Sequence, residues 1–183
     1  MKALVGILVA LALMIGMAFS SYNGLVAMDE NVTGKWAQVE NQLQRRNDLI
    51  PNLVNTVKGY AAHETAIYTA VAEARAKIGS AKTVADANAA NQEMGSALSR
   101  LLMVAEKYPD LKANTNFTQL QDELAGTENR ISVARKDYND AVQAFNARIK
   151  SLPASLYAGA CGFTQKEYFK VSEAAKEVPQ VKF

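Results

Sequence analysis

Cysteine and histidine occur once each in the 183 residues, as Cys161 and His63. One cysteine closes no internal disulfide and builds no cysteine-rich zinc module, and it leaves the redox compartment open. One histidine excludes a His-Glu-x-x-His zinc site and the paired Glu-x-x-His motifs of a di-iron bundle. Proline numbers four, glycine ten, and aromatic residues make up 8%. Helix breakers and sheet-favouring rings are therefore both scarce. A charge excess of one sign is missing as well: 20 basic and 18 acidic residues leave a net +2, too small a field to gather nucleic acid. There is no glycine-rich phosphate loop followed by Lys and Ser or Thr, and no Gly-x-Ser-x-Gly elbow, so nucleotide binding and acyl transfer lack their usual frames. The length suits one domain with a real core.

What is present begins with an apolar run. Residues 3–19 carry no charge; Lys2 precedes them and Ser20, Ser21, Tyr22 and Asn23 follow. Two readings compete. A cleaved signal peptide has an apolar stretch of about 7–15 residues and a small-residue cleavage site, for which Ala18-Phe19-Ser20 would serve. A retained anchor needs roughly 17–25 apolar residues. The run exceeds the first range and flows into helical sequence without a break, which favours a single-pass signal-anchor. Lys2 lies before the span, while Asp29 and Glu30 precede the first downstream base, Lys35. That order puts the domain on the extracytoplasmic side, periplasmic where there are two membranes. Ala12, Gly16, Ser20 and Gly24 fall four apart and Gly6 pairs with Ala10, spacing that lets a second membrane helix approach closely. The competing explanation is that small residues are common in apolar segments.

From Val32 the seam steps by four and three through Trp36, Val39, Leu43, Arg46, Ile50, Leu53, Val57, Tyr60, Glu64, Ile67, Val71, Ala74 and Ile78. The phase survives Pro51. One long helix kinked near Pro51 is the expectation; the alternative is a break there, with Asn47 or Asp48 capping a new helix whose first turn holds Pro51. Gly79-Ser80 stops the helix, Thr83 or Asp86 starts the next, and Pro109 ends that one. A third runs from Thr115 through Phe117, Leu124, Ile131, Tyr138, Phe145 and Ile149 to just before Pro153. Residues 153–162 read as irregular, residues 164–176 as a short helix capped by Thr164, and residues 179–183 as a tail. The predicted fold is all-α: an N-terminal transmembrane helix continuing into an elongated antiparallel bundle of three to four long helices. The predicted organisation is an anchor and juxtamembrane segment over residues 1–28, a helical bundle over 29–153, and a C-terminal segment over 154–183.

The chain resembles the LemA family of small bacterial membrane-anchored proteins. The resemblance is carried by Tyr22-Asn23-Gly24-Leu25-Val26, Trp36, the block Gln42 to Val54, Val57-Lys58-Gly59-Tyr60-Ala61-Ala62-His63-Glu64, Ala74-Arg75, Tyr108-Pro109-Asp110-Leu111-Lys112-Ala113, Phe117, Thr127-Glu128, Ala134-Arg135, Tyr138-Asn139, Asn146, Gly162-Phe163 and Tyr168-Phe169. It implies a retained N-terminal helix in the bacterial cytoplasmic membrane, a helical-bundle domain and no enzyme.

The residues themselves give no catalytic, cofactor or metal constellation. His63 beside Glu64 reads as a structural hydrogen-bonding residue, and Cys161 as a packed or idle thiol rather than an activated one. Arg46 and Glu64 on the first seam, and Glu128 and Arg135 on the third helix, are the informative polar residues. Charges on a seam need partners, so cross-helix ion pairs from Arg46 or Arg45 to an acid of another helix are expected; the alternative is that they snorkel at a bundle edge. Lys35, Arg45, Lys58 and the C-terminal lysines read as a solvated face. Trp36, Arg45, Arg46, Asp48, Pro51, His63, Glu64, Glu128 and Arg135 are the structural or interaction candidates. The expected function is a membrane-anchored structural or scaffold protein, self-assembling, whose partners are the lipid bilayer, further copies and an envelope protein, with no nucleic acid. The alternative is a small-ligand or ion-binding sensory module of the cell envelope.

Overall fold

Helix punctuation in this chain is set by a few polar side chains. In the computed structural model, which describes residues 2–170, five α-helices follow one another: α1 (Lys2–Lys58), α2 (Thr65–Ser80), α3 (Val84–Ala105), α4 (Pro109–Lys112) and α5 (Thr115–Lys150), with a 3-10 turn at Ala154–Leu156. No strand occurs among the described residues. The all-α expectation holds.

Pro51 lies inside α1 and does not end it. The helix instead stops at Lys58, which corrects the expectation of one helix from Val32 to Ile78. Gly59 costs about 1 kcal/mol in a helix relative to alanine. The last turn closes with Gly59 N–H to Asn55 O (3.3 Å) and with Tyr60 and Ala61 N–H sharing Val57 O (3.0 and 2.9 Å), the Tyr60 bond being the tighter three-residue kind. Tyr60 therefore leaves the seam and is exposed, and Ala61 takes the buried place. The tertiary structure rewards the break. Tyr68 Oη donates to the freed Ala61 carbonyl at 2.8 Å, and Asn114 Nδ2 donates to Tyr60 Oη at 3.0 Å.

Thr83 caps α3 as its sequence position suggests. Asp86 N–H donates to Thr83 Oγ1 (3.0 Å) and Thr83 N–H to Asp86 Oδ2 (3.2 Å), a reciprocal capping box. Those bonds hold the Asp86 carboxyl below its ordinary value, the Thr83 side chain being the largest cause. Asn114 caps α5, its Oδ1 accepting from Asn116 and Phe117 N–H at 2.9 and 3.2 Å.

The chain divides into two compact units. The first comprises residues 2–37 and 136–167. Its core holds Leu25, Val32, Tyr138, Val142 and Phe145, all buried. Trp36 packs on Tyr138 with ring centroids 5.3 Å apart, and Phe163 meets both Tyr22 (5.7 Å) and Phe145 (6.3 Å). Lys166 exchanges two hydrogen bonds with Asn146, each 2.9 Å, and Tyr138 Oη donates to Glu167 O at 2.8 Å. Those bonds occupy the backbone groups a helix would use, so residues 164–170 are irregular and the expected helix does not begin at Thr164. The rest of that helix and the tail of residues 179–183, with Lys176 and Lys182, lie outside the described residues.

The second unit comprises residues 38–135 and 168–170. Here α1, α2, α3, α4 and α5 share one core in which Leu53, Val57, Met94, Leu101, Leu111 and Phe117 are buried. The apolar phase read along the sequence is the buried phase of α1: Val39, Leu43, Arg46, Ile50, Leu53 and Val57 are all inside.

Candidate functional site

The second unit places a charge in its core. Arg46 arrives there because it occupies the seam position between Leu43 and Ile50 on α1, and its side chain is only 7% exposed. Its Nη1 donates to Asn91 Oδ1 on α3 at 2.9 Å and lies 2.8 Å from Glu128 Oε2 on α5. One guanidinium thus ties three helices. Burial pulls the Arg46 pKa below its ordinary value and the Glu128 charge opposes that shift, yet a guanidinium stays protonated throughout the physiological range. Its neighbour in the chain, Arg45, places Nη2 3.2 Å from Glu123 Oε2, with both side chains half in water. Both arginines make the cross-helix pairs expected of them.

Beside Arg46 opens a cleft of about 530 Å³, lined on α3 by Asn88, Asn91 and Gln92 and on α5 by Gln121, Glu128 and Arg135, with Lys170 also at its wall. Gly95 also lines the cleft, and a Cβ there would lie 3.8 Å from Arg46 Nη2, an ordinary van der Waals contact. Arg46, Arg135 and Lys170 outnumber Glu128 among the described lining residues. Such a lining favours an anionic occupant held by charge-assisted hydrogen bonds.

Three candidates, Arg46, Glu128 and Arg135, therefore converge on one cleft. The others do not join it. Asp48 accepts from Gln44 Nε2 at 2.7 Å one helical turn away and stays exposed. His63 is exposed in the turn between α1 and α2, and Glu64 stands at the N-cap of α2 without a side-chain cap. Trp36 belongs to the first unit, against Tyr138, and Pro51 is half-buried within α1. The solvated-face reading needs correction at two lysines: Lys35 pairs with Asp137 at 3.2 Å and Lys166 with Asp29 at 2.6 Å, all four side chains partly covered. Lys58 sits 5.1 Å from the Tyr68 ring centroid. Cys161 is exposed rather than packed.

Asn91 was legible in principle. It falls four residues after buried Ala87 and three before buried Met94, so it is a polar residue on an apolar stripe, the same signal that singled out Arg46. On α1, Gly6, Ala12, Gly16, Ser20 and Gly24 are exposed, and a Cβ on Gly6, Gly16 or Gly24 would meet nothing within 4 Å. The side chain of Ala10 lies outside the described residues.

Residues 35–183 match the family model of the LemA family. The chain is 30% identical over 179 residues to magnetosome protein MamQ 2 of Paramagnetospirillum magneticum, covering 84% of this chain and 66% of that protein. It is 29% identical over 174 residues to magnetosome protein MamQ of Magnetospirillum gryphiswaldense, covering 81% of this chain and 64% of that one. The chain thus spans a little under two thirds of the length of these relatives.

Proposed function

We propose, for a chain that belongs to the LemA family, a non-enzymatic role as a membrane-anchored scaffold. In this reading α1 is a retained single-pass anchor in the bacterial cytoplasmic membrane, the second unit lies outside the cytoplasm, and its helices offer a surface to further copies or to an envelope protein. The observation that carries it is the continuity of α1. One helix, Lys2–Lys58, opens with an 18-residue window of mean hydropathy 2.5 of which none is buried, and then runs into seam residues that are fully buried, such as Ile50 and Leu53. Leu8, Ile15 and Phe19 are more than half exposed, and apolar surface on that scale calls for a lipid or protein cover. The open small-residue face at Gly16, Ser20 and Gly24 supports self-association through the membrane helix. Crosslinking in intact membranes followed by co-purification of the full-length chain tests the proposal. Covalent oligomers or a reproducible envelope partner support it, and a strictly monomeric protein that retrieves nothing overturns it.

A second reading, a sensory module for a small anion, is favoured by the cationic excess of the Arg46 cleft. Phosphate and citrate are suitable probes. A rise in thermal midpoint that disappears in Arg135→Gln would support this reading, and no shift with either anion would count against it.

A further inference from the structure

The first unit carries an apolar surface that its own core does not use. Tyr157 and Cys161, in the turns after α5, close a groove of about 460 Å³ with Ile15, Ala18, Phe19 and Tyr22 of α1. Leu152 and Leu156 beside it are 73% and 78% exposed. The geometry points to a second membrane contact: residues 151–163 lie in the interfacial layer of the bilayer alongside α1, with Leu152 and Leu156 entering the lipid and Arg148 and Lys150 at the headgroup phosphates. This rests on α1 being the retained membrane span proposed above.

Depth along α1 carries the argument. A hydrocarbon core of about 30 Å takes roughly 20 helical residues at 1.5 Å each. Counted from Ala3, the start of the uncharged run, that length ends at Tyr22. The groove begins at Ile15, seven residues earlier, so it extends about 10 Å below the boundary at the same rise. Whatever packs against Ile15, Ala18 and Phe19 shares their depth. Chain composition agrees with that position. Residues 141–166 contain no Asp or Glu, while Arg148, Lys150 and Lys166 are basic, and basic residues near a membrane surface are drawn to anionic lipid. Arg148 Nη2 donates to Ser21 Oγ at 3.0 Å, which fixes a guanidinium at the level where the span leaves the hydrocarbon. Gly162, at φ +85°, turns the chain back so that Phe163 N–H reaches Ala158 O at 2.9 Å and the ring reaches Tyr22. The segment is thereby held against α1 rather than left free to swing.

Cys161, the sole cysteine, is a built-in probe. The full-length chain is spin-labelled at Cys161, reconstituted in vesicles of phosphatidylcholine with phosphatidylglycerol, and relaxed by oxygen, which concentrates in lipid, and by a water-soluble nickel chelate. In a Cys161→Ser background the same measurement is made at Leu156→Cys, at Met14→Cys inside the apolar run and at Asp110→Cys, exposed in the second unit. The expected result is an oxygen-to-nickel collision ratio several-fold higher at Cys161 and Leu156→Cys than at Asp110→Cys. A lipid-like ratio at Met14→Cys with water-like ratios at the other two overturns the second contact and leaves the span standing. Low collision with both reagents at Leu156→Cys also overturns it, because protein rather than lipid then covers the leucine. Water-like ratios everywhere remove the span and the inference together.

Discussion

The guanidinium of Arg46 on α1 and the carboxylate of Glu128 on α5 meet at 2.8 Å with unequal access to water, the two side chains being 7% and 56% exposed. That inequality decides what each contributes. Glu128 keeps much of its hydration, so the pair gains the modest energy of a solvent-screened bridge. Arg46 has lost its hydration and depends on Glu128 and Asn91 to replace it.

Glu128→Gln should therefore lower stability by about 1 kcal/mol, the upper end for a screened pair. Arg46→Met removes the desolvated charge but strands Asn91 Oδ1, an acceptor left without its donor, at about 1–3 kcal/mol. Adding Asn91→Leu should recover most of that loss, so the double variant is more stable than Arg46→Met alone. Urea midpoints of the four proteins check the pattern. If Arg46→Met left both stability and assembly as they were, Arg46 would have no part in helix register.

The capping box at Thr83 and Asp86 gives a pH signature. Asp86 is held below its ordinary value mainly by the Thr83 side chain, so the folded state favours the carboxylate. Its contribution is then present above the ordinary carboxylate range, near about 4, and is lost as pH falls through the depressed folded value. Carboxyl titration followed by NMR should give Asp86 a midpoint below the ordinary aspartate value, and Thr83→Val should move it back up. Thr83→Ala should also cost about 1 kcal/mol at neutral pH, the usual loss for an N-cap threonine.

Two glycines in one turn should respond differently. Gly162 has φ +85°, whereas Gly159 does not share that conformation and a Cβ there would meet nothing within 4 Å. Gly162→Ala should cost about 1 kcal/mol or more, because alanine is strained in the left-handed region. Gly159→Ala should be neutral or slightly stabilising. Thermal midpoints of the two variants decide whether the turn conformation is required.

How much of this was legible depended on whether a residue's role was local. The seam through Leu43, Arg46, Ile50 and Leu53 could be read from periodicity, because one helix face records its own burial. Thr83 and Asp86 could be read because a capping box is a four-residue pattern. The end of α1 at Lys58 could not. The heptad phase runs on through Gly59, and the bonds that favour the break come from Tyr68 and Asn114, residues distant in sequence. Pro51 stays inside the helix, as the unbroken phase suggested: its missing N–H is one lost bond, which a helix packed by Ile50, Leu53 and Val57 tolerates. In the cleft, Arg46, Glu128 and Arg135 were each visible as charges on an apolar phase. Their convergence was not, since it depends on how α1, α3 and α5 pack.

Residues 164–167 offer the sharpest case of a tertiary bond overriding a local signal. Thr164 followed by polar and apolar residues reads as a helix start, yet Asn146 takes both backbone groups of Lys166, accepting from its N–H and donating to its carbonyl at 2.9 Å. Asn146→Ala should cost about 1–3 kcal/mol through the partners it leaves unmatched, and it should speed hydrogen exchange at the Lys166 amide. Asn146→Asp keeps the acceptor for that amide but turns a carboxylate oxygen toward the Lys166 carbonyl, so it should be no better tolerated than alanine while slowing the same exchange relative to it. Tyr138→Phe, which removes only the bond to Glu167 O, should cost about 1 kcal/mol. Unaltered exchange at Lys166 in Asn146→Ala would mean that the ion pair to Asp29, rather than the asparagine, holds the segment in place.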